Sequence, residues 1–154
     1  MSTDDLVLAQ AMLPADANAH GNVHGGVLMK LVDEAGGLCA VRHARRPVVT
    51  VMMDSMTFEQ PVYVGNLVSL RGCVTWTGRT SLETEVTVEA EDVLSGEVRH
   101  ISTAYVVFVA IDDDGRPTPV PPLEVTTDEQ RQRWQAAEQR RASRLRWRTN
   151  GARP

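Results

Sequence analysis

The stretch of this chain that best suits catalytic or binding chemistry is residues 22–26, Asn-Val-His-Gly-Gly, which precede a segment with helical periodicity. Gly25 and Gly26 carry no side chain, so backbone N–H groups at the start of the helix can approach a ligand closely. Those N–H groups have no acceptor within the helix, and the helix dipole adds partial positive charge. Such a site could bind a phosphate, a carboxylate or the oxygen of a carbonyl under attack. A tight entry into the helix is the alternative explanation.

Asp33 is the second candidate for chemistry. Its neighbours one helical turn away are Met29, Gly36 and Gly37. Two adjacent glycines inside a helix cost roughly 1 kcal/mol each relative to alanine, so we expect something to require the space. A substrate or a partner backbone beside Asp33 would explain them. A surface carboxylate next to a close helix–helix contact is the alternative.

The spacing between these candidates predicts a site shared by two copies of the chain. Gly25 and Asp33 are eight residues apart, which places them about 12 Å apart along a helix axis. A general base must lie within ~3 Å of the water that it activates. One helix therefore cannot supply both groups to one site. If both serve the same reaction, Asp33 must come from a second copy of the helix, across a dimer interface.

Hydrophobic periodicity predicts the elements that position these residues. Residues 25–45 form the long helix, with one face made of Leu28, Leu31, Ala35, Leu38 and Arg42, and with Asp33 on the opposite flank. Strands are predicted over residues 7–12, 48–58, 67–75, 82–91 and 101–111, and residues 82–91 alternate apolar side chains with polar ones, mostly glutamate, which predicts one wet face. Thr127 is the predicted N-cap of a final helix. The pattern indicates an α+β fold in which one helix packs on a five-stranded antiparallel sheet.

Length and charge exclude several classes of protein. The 154 residues suit one domain. Residues 1–130 carry a net charge of −11, whereas residues 131–154, with eight arginines, carry +7. Because binding to nucleic acid needs a basic footprint, the acidic body argues against nucleic acid as the main partner. No stretch approaches the ~20 apolar residues of a membrane-spanning helix, so we expect no membrane partner.

Cysteine count and N-terminal composition predict a cytoplasmic protein. Cys39 and Cys73 are too few for a disulfide scaffold and fit free thiols in a reducing compartment. Residues 1–5 carry two acids and no base, and no apolar run follows, so we expect no secretory signal. His20 and His24 lie on a loop without carboxylate or cysteine at ligand spacing, so we predict no metal site.

The residues singled out above also carry a resemblance to a known family. The run from Asp16 to Gly37 closely resembles the hot-dog-fold acyl-CoA thioester hydrolases, in particular the cytosolic, broad-specificity bacterial branch. The similarity continues through residues 55–58, the Gly-Arg-Thr-Ser turn at residues 78–81 and the strand that ends at Asp112, and it covers roughly residues 7–120. It implies a hot-dog domain over residues 1–122, followed by an Arg-rich C-terminal helix and tail over residues 123–154.

The resemblance assigns roles to individual residues. It implies that Asp33 is the catalytic acid and that Asn22 assists from the other subunit, with Gly25 and Gly26 at the polarising helix start. Substrate contacts are implied for the following residues: His24, Ser55, Met56, Arg79, Thr80 and Ser81. The implied substrate is acyl-CoA, without a cofactor, and the implied assembly is a homodimer at minimum, with a hexamer built from three dimers.

Two other functions are compatible with the same fold. A hot-dog dehydratase needs a histidine as acid–base at the site, and the helix after His24 has no histidine before His43. A non-catalytic acyl-CoA-binding protein would keep the pocket without the chemistry. A serine-nucleophile hydrolase is disfavoured because the chain has no Gly-x-Ser-x-Gly motif.

Overall fold

The computed structural model describes residues 5–54 and 56–151. The elements are β1 (Leu6–Ala11), a 3₁₀ turn (Pro14–Asp16), α1 (Gly25–Ala44), β2 (Val48–Asp54), β3 (Leu67–Thr77), β4 (Ser81–Glu91), β5 (Val98–Ala110) and α2 (Asp128–Gly151). The predicted order of one strand, a long helix, four strands and a final helix is confirmed. Strand β2 ends four residues earlier than predicted, and Phe58, which the prediction included in the strand, lies against the start of α1.

The five strands form one antiparallel sheet between the two helices. The strand order is β1-β3-β4-β5-β2, so β1 and β2 are the edges. Helix α1 packs against one face, where Gly36 lies close to Thr84 and Phe108. Helix α2 packs against the other face, where Trp134 contacts Trp76 with ring centroids 6.1 Å apart. The sheet is therefore covered on both sides, unlike a half-exposed antiparallel sheet.

The buried face of α1 differs in part from the predicted one. Its buried members are Leu28, Leu31, Val32, Ala35, Gly36, Cys39, Ala40 and Ala44, so the first half of the predicted face is confirmed. The second half is wrong, since Leu38 is 44% exposed and Arg42 is exposed. A repeat of 3 and 4 residues drifts around a straight helix by about 20° per heptad. Leu38 and Arg42 therefore lie at the margin of the buried face.

Helix α2 begins where the sequence predicts. The Gln130 N–H donates to the Thr127 hydroxyl at 3.1 Å, and the Gln130 side-chain oxygen accepts from the Thr127 N–H at 3.1 Å, which forms a reciprocal capping box. Ala137 is buried against the sheet. No helix in the described part of the chain combines the length and apolar character needed to cross a membrane.

The prediction of one wet face on β4 is wrong at Glu83. Its side chain is 0% exposed because α2 lies over it and supplies two arginines, Arg140 and Arg144. Residue alternation along a strand identifies the two faces, but it does not reveal a helix that arrives about 60 residues later in the sequence and covers one of them.

Candidate active site

The Asp33 carboxylate on helix α1 is held by a hydrogen bond from the edge strand β2. Thr50, in β2, donates its hydroxyl to Asp33 Oδ1 at 2.7 Å. Asp33 is half-buried, and this hydrogen bond aims one of its oxygens along the helix–strand junction. Sequence reasoning missed Thr50; the signal available was a hydroxyl residue within an otherwise apolar run of valines and methionines.

An open cleft of about 530 Å³ adjoins Asp33. Its other lining residues are largely apolar: Leu8, Glu34, Gly37, Leu38, Val41, Val48, Thr50 and Phe108. A carboxylate at the wall of an apolar cleft suits a reaction in which it meets an apolar substrate and a water molecule. Leu38, five residues after Asp33 and therefore about 140° away around the helix, borders the same open cleft.

The two glycines after Asp33 serve different purposes. A Cβ on Gly36 would lie 2.7 Å from Thr84 Oγ1 and 3.3 Å from the Phe108 ring, so this glycine is required by the close packing of α1 on its own sheet. A Cβ on Gly37 would lie 3.7 Å from Phe108, an ordinary contact. The expectation that a substrate or partner requires both glycines is therefore wrong for Gly36. Gly37 does border the cleft beside Asp33.

The start of α1 presents two further glycines and an aromatic ring. His24 is the N-cap residue in extended conformation, is exposed, and makes no side-chain capping bond. A Cβ on Gly25 would lie 3.3 Å from Phe58, whereas one on Gly26 would meet nothing within 4 Å. A side chain at position 25 would crowd the Phe58 ring, whereas position 26 opens outward. The N–H groups of Gly25 and Gly26 belong to the first turn, where the helix offers no acceptor, whereas the Val27 N–H donates to the His24 carbonyl at 3.0 Å.

The loop before α1 is fixed by its asparagines and by the segment after β2. Asn18 Oδ1 accepts from the N–H groups of His20 at 2.9 Å and Asn22 at 3.2 Å, and the Asn18 N–H donates to the Asn22 carbonyl at 2.8 Å. Asn22 also forms an isolated bridge with Tyr63. Because two amides occupy Asn18 Oδ1, its Nδ2 group is the end left to bind something else. Asn18 was not among the residues predicted from sequence.

The remaining predicted site residues are spread over the molecule. Met56 is half-buried and packs against the core, and Ser55 lies outside the described residues. Ser81 lines a groove of about 210 Å³ with Trp76 and arginines of α2. This groove and the Asp33 cleft have no lining residue in common. A single protomer therefore does not bring the Gly-Arg-Thr-Ser turn to Asp33.

Two residues of that turn contribute their backbones to the fold. The carbonyl of Thr80 accepts from the Ala110 N–H, and the carbonyl of Arg79 accepts from the Val120 N–H, both at 2.9 Å. The Arg79 residue is exposed and Thr80 is half-buried. The turn is therefore anchored by its main chain, which leaves the Arg79 guanidinium in solvent.

Strand β2 offers an open edge next to Asp33. Within the described residues, β2 pairs only with β5, and Val49 and Val51 are 44% and 45% exposed. An edge strand with exposed valines is a ready template for pairing with another strand. Thr50 lies between these two valines, so a strand added here would pass beside the Asp33 cleft.

Comparisons with known proteins agree with this geometry. Residues 20–97 match the thioesterase superfamily. An uncharacterised acyl-CoA thioester hydrolase of Bacillus subtilis is 38% identical over 125 residues, which is 81% of this chain and 73% of the relative. The structure of a Staphylococcus aureus acyl-CoA hydrolase with butyryl coenzyme A, coenzyme A and coenzyme A disulfide matches with a TM-score of 0.88 at 30% identity, over 98% of this chain and 92% of that chain.

A second solved structure, an apo-hexameric acyl-CoA thioesterase, matches with a TM-score of 0.89 at 34% identity, over 98% of this chain and 95% of that chain. The S. aureus enzyme has also been solved as three alanine variants: of an aspartate, of a threonine seventeen residues after it, and of an asparagine fifteen residues before it. Asp33, Thr50 and Asn18 have the same spacing here. With the predicted hot-dog architecture confirmed and 38% identity to a relative across most of its length, the chain belongs to the thioesterase superfamily.

Proposed function

We propose that this protein hydrolyses acyl-CoA thioesters to a free carboxylic acid and coenzyme A. The observation that carries the proposal is Asp33, a carboxylate held by the Thr50 hydroxyl at the wall of an apolar cleft. Similarity to proteins named acyl-CoA thioester hydrolases supports the same activity. Hydrolysis of a thioester needs only water as the second substrate, so the reaction requires no cofactor.

In the proposed mechanism the reacting carbonyl is held by α1 of one subunit and attacked with help from the other. The N–H groups of Gly25 and Gly26 polarise the thioester carbonyl and stabilise the developing oxyanion. Asp33 of the second subunit either activates a water molecule or attacks the carbonyl directly to form an anhydride that water then cleaves. In both routes the thiolate of coenzyme A leaves and takes up a proton.

The dimer that this mechanism needs is supported by the open edge of β2. Antiparallel pairing of β2 with its copy would cover Val49 and Val51 and would bring a second α1 beside the first. The ~12 Å separation of Gly25 and Asp33 along one helix is then bridged between two helices. Solved relatives described as hexameric support further assembly of such dimers.

The loop asparagines are the proposed polar partners of Asp33. Asn22, the residue predicted from the sequence, is pinned through its backbone to Asn18 and Tyr63. Asn18 is a second candidate, favoured by the matching spacing of the S. aureus variants and by the Nδ2 group that its loop contacts leave over. In either case the side-chain amide would orient the thioester carbonyl or the water.

Contacts with the coenzyme A portion are proposed for residues around the dimer cleft. His24 lies at the helix entry, and Ser55 and Met56 follow strand β2. Arg79, exposed on its turn next to Thr80 and Ser81, could pair with a phosphate, because a guanidinium matches phosphate geometry. These contacts require a neighbouring subunit, since Ser81 and Asp33 lie in different grooves of one protomer.

We also propose residues 1–122 as the catalytic domain. The cytoplasm is its proposed compartment, which the two free thiols support.

The activity is tested by incubating the purified protein with acetyl-, butyryl- and palmitoyl-CoA in the presence of a thiol-detecting reagent. Release of free coenzyme A that is lost in Asp33→Asn supports the proposal, and the series gives the chain-length preference. Binding of acyl-CoA without release of thiol would instead support a non-catalytic acyl-CoA-binding protein. Hydration of an enoyl-CoA without thiol release would support a hot-dog dehydratase.

A further inference from the structure

Helix α2 is attached to the sheet by a buried ion network. The Glu83 carboxylate accepts from Arg140 Nη2 at 2.7 Å and Arg140 Nε at 3.1 Å, and also from the Thr75 hydroxyl at 2.8 Å. Arg144 Nη1 lies 3.1 Å from Glu83 Oε2 and 3.1 Å from Asp54 Oδ2. The Arg144 side chain is 12% exposed and that of Glu83 is 0% exposed. Arg144 therefore links the middle of the sheet to the last residue of β2.

A β-bulge in β2 puts this link directly behind the candidate active site. Thr50 pairs with Phe108 and Met52 pairs with Val107, so Val51 is the extra residue of the bulge. Before the bulge, Thr50 faces α1 and binds Asp33. After it, Met52 and Asp54 face α2 and line a groove with Arg140 and Arg144. One strand thus contacts the catalytic helix first and the C-terminal helix four residues later.

The hold of β5 on Thr50 is weaker than in a regular ladder. Strand β2 is an edge strand in the protomer, with β5 on one side only. The bulge interrupts the ladder next to Thr50, which weakens the hold of β5 at that point. Glu83 already accepts two bonds from Arg140 and one from Thr75. Arg140 therefore already neutralises Glu83. The second contact of Arg144, to Asp54, acts on β2.

We propose that the Arg144–Asp54 contact positions Thr50 and, through its hydroxyl, the Asp33 carboxylate. This inference rests on the proposed role of Asp33 in hydrolysis. It makes Asp54 and Arg144 positioning residues, which do not touch the substrate. Residues 123–154 lie after the predicted catalytic domain in sequence, yet their helix acts on the catalytic geometry.

The first test compares single variants of the contact. Asp54→Asn keeps Arg140 and Arg144 on Glu83 and removes the charge that Arg144 meets on β2. We expect kcat for acyl-CoA hydrolysis to fall about tenfold, less than the roughly 10²-fold that a 1 Å misplacement can cost. KM, the affinity for coenzyme A and the melting temperature should stay near the wild-type values. A fall in melting temperature with kcat unchanged would show a merely structural contact and overturn the proposal.

Arg144→Gln should reproduce the loss, and Arg131→Gln is its matched control. Arg131 is on the same helix, and its ion pair among the described residues is with Asp128 at the exposed start of α2, so the same change there should leave kcat unaltered. Equal losses in both variants would overturn the proposal, because the effect would then belong to the helix charge and not to the Asp54 contact.

A double-mutant cycle asks whether Asp54 acts through Thr50. If it does, adding Asp54→Asn to Thr50→Val should lower kcat little further, because the hydroxyl that Asp54 positions is already gone. Losses that multiply in the double variant would overturn the proposal. Hydrolysis by the wild type with no effect of Asp54→Asn would also overturn it, while leaving the proposed function intact.

Discussion

The Thr50 hydroxyl donates a 2.7 Å hydrogen bond to Asp33 Oδ1 and thereby joins the edge strand β2 to the middle of helix α1. Asp33 lies on α1 and Thr50 on β2, seventeen residues later in the sequence. The pattern of either element alone therefore does not reveal their hydrogen bond. A carboxylate that keeps one oxygen on a hydroxyl leaves its other oxygen for a water molecule or a carbonyl carbon. The pair is thus the smallest unit of the candidate site that one protomer supplies.

Removal of the Asp33 charge should nearly abolish hydrolysis. Loss of a general base typically costs about 10²–10⁴ in rate, and the Asn side chain of Asp33→Asn keeps an oxygen for the Thr50 hydroxyl. We therefore expect a folded protein, by circular dichroism and thermal unfolding, with residual kcat in that range. A variant that retains most of its turnover would contradict the assignment of Asp33.

Loss of the Thr50 hydroxyl should lower kcat by the free-energy equivalent of one hydrogen bond to a charged group. Such bonds contribute about 1.5–3 kcal/mol, so Thr50→Val should lower kcat by roughly 10- to 100-fold. Thr50→Ser keeps the hydroxyl and is the matched control, and it should retain much more activity in the same assay. Similar losses in the two variants would mean that the methyl group, and not the hydroxyl, is what matters.

Mixed dimers should show that the active site is shared. An inactive Asp33→Asn chain and a chain inactivated in the loop by Asn22→Ala or Asn18→Ala each spoil both sites of their own homodimer. In a mixed dimer one site combines the two intact halves, so co-assembly after brief unfolding should restore up to half of the activity per mixed dimer. If co-assembled chains remain inactive while size measurements show mixed dimers, each site belongs to one subunit.

The roles of Asn18 and Asn22 can be distinguished by replacing the Asn18 amide with a carboxylate. Asn18→Asp keeps an oxygen for the N–H groups of His20 and Asn22 and so preserves the loop, but it removes the Nδ2 donor. If Asn18 orients the carbonyl, its kcat should fall by about 10²–10³, the usual cost of one oxyanion donor. A larger effect of Asn22→Ala than of Asn18→Asp would favour Asn22, the residue predicted from sequence.

Helix α1 should tolerate an added methyl group at one of its adjacent glycines and not at the other. Gly36→Ala would place Cβ 2.7 Å from Thr84 Oγ1, and Thr84 is fully buried, so we expect the free energy of unfolding to fall by about 1–3 kcal/mol. Gly37→Ala makes only a 3.7 Å contact and should be neutral or stabilising by up to about 1 kcal/mol, because alanine favours the helix. Urea titrations of both variants measure the difference; equal destabilisation would contradict it.

The two free thiols should destabilise the fold as the solution becomes alkaline. Burial raises the pKa of Cys39 to about 11 and that of Cys73 to about 12. Above pH 9 the unfolded chain loses these protons while the folded chain keeps them, so the free energy of unfolding falls as pH rises from about 9 towards 11. A double variant with alanine at both positions should show a shallower fall in urea titrations; an unchanged slope would contradict this.

Local patterns in the sequence were sufficient for the elements and for half of the candidate site. The helical spacing of Leu28, Leu31 and Ala35 and the alternation along β4 predicted their elements correctly, because both periods depend only on the local backbone geometry. The Gly-Gly entry and the carboxylate at position 33 stand out for the same reason, since each is a feature of one helix. The distance between them along that helix was enough to suggest a second subunit.

Only the tertiary structure determined which residues of each element are buried and which other elements they contact. The bulge at Val51 turns Thr50 toward Asp33 and Asp54 toward Arg144, and a single extra residue in a ladder leaves no periodic trace in so short a strand. Likewise, Glu83 follows the pattern of a solvated residue but is buried under α2, because its partners lie about 60 residues later in the chain. Periodicity is a property of neighbours in sequence, whereas these contacts depend on which distant surfaces pack together, and that is settled only when the chain folds.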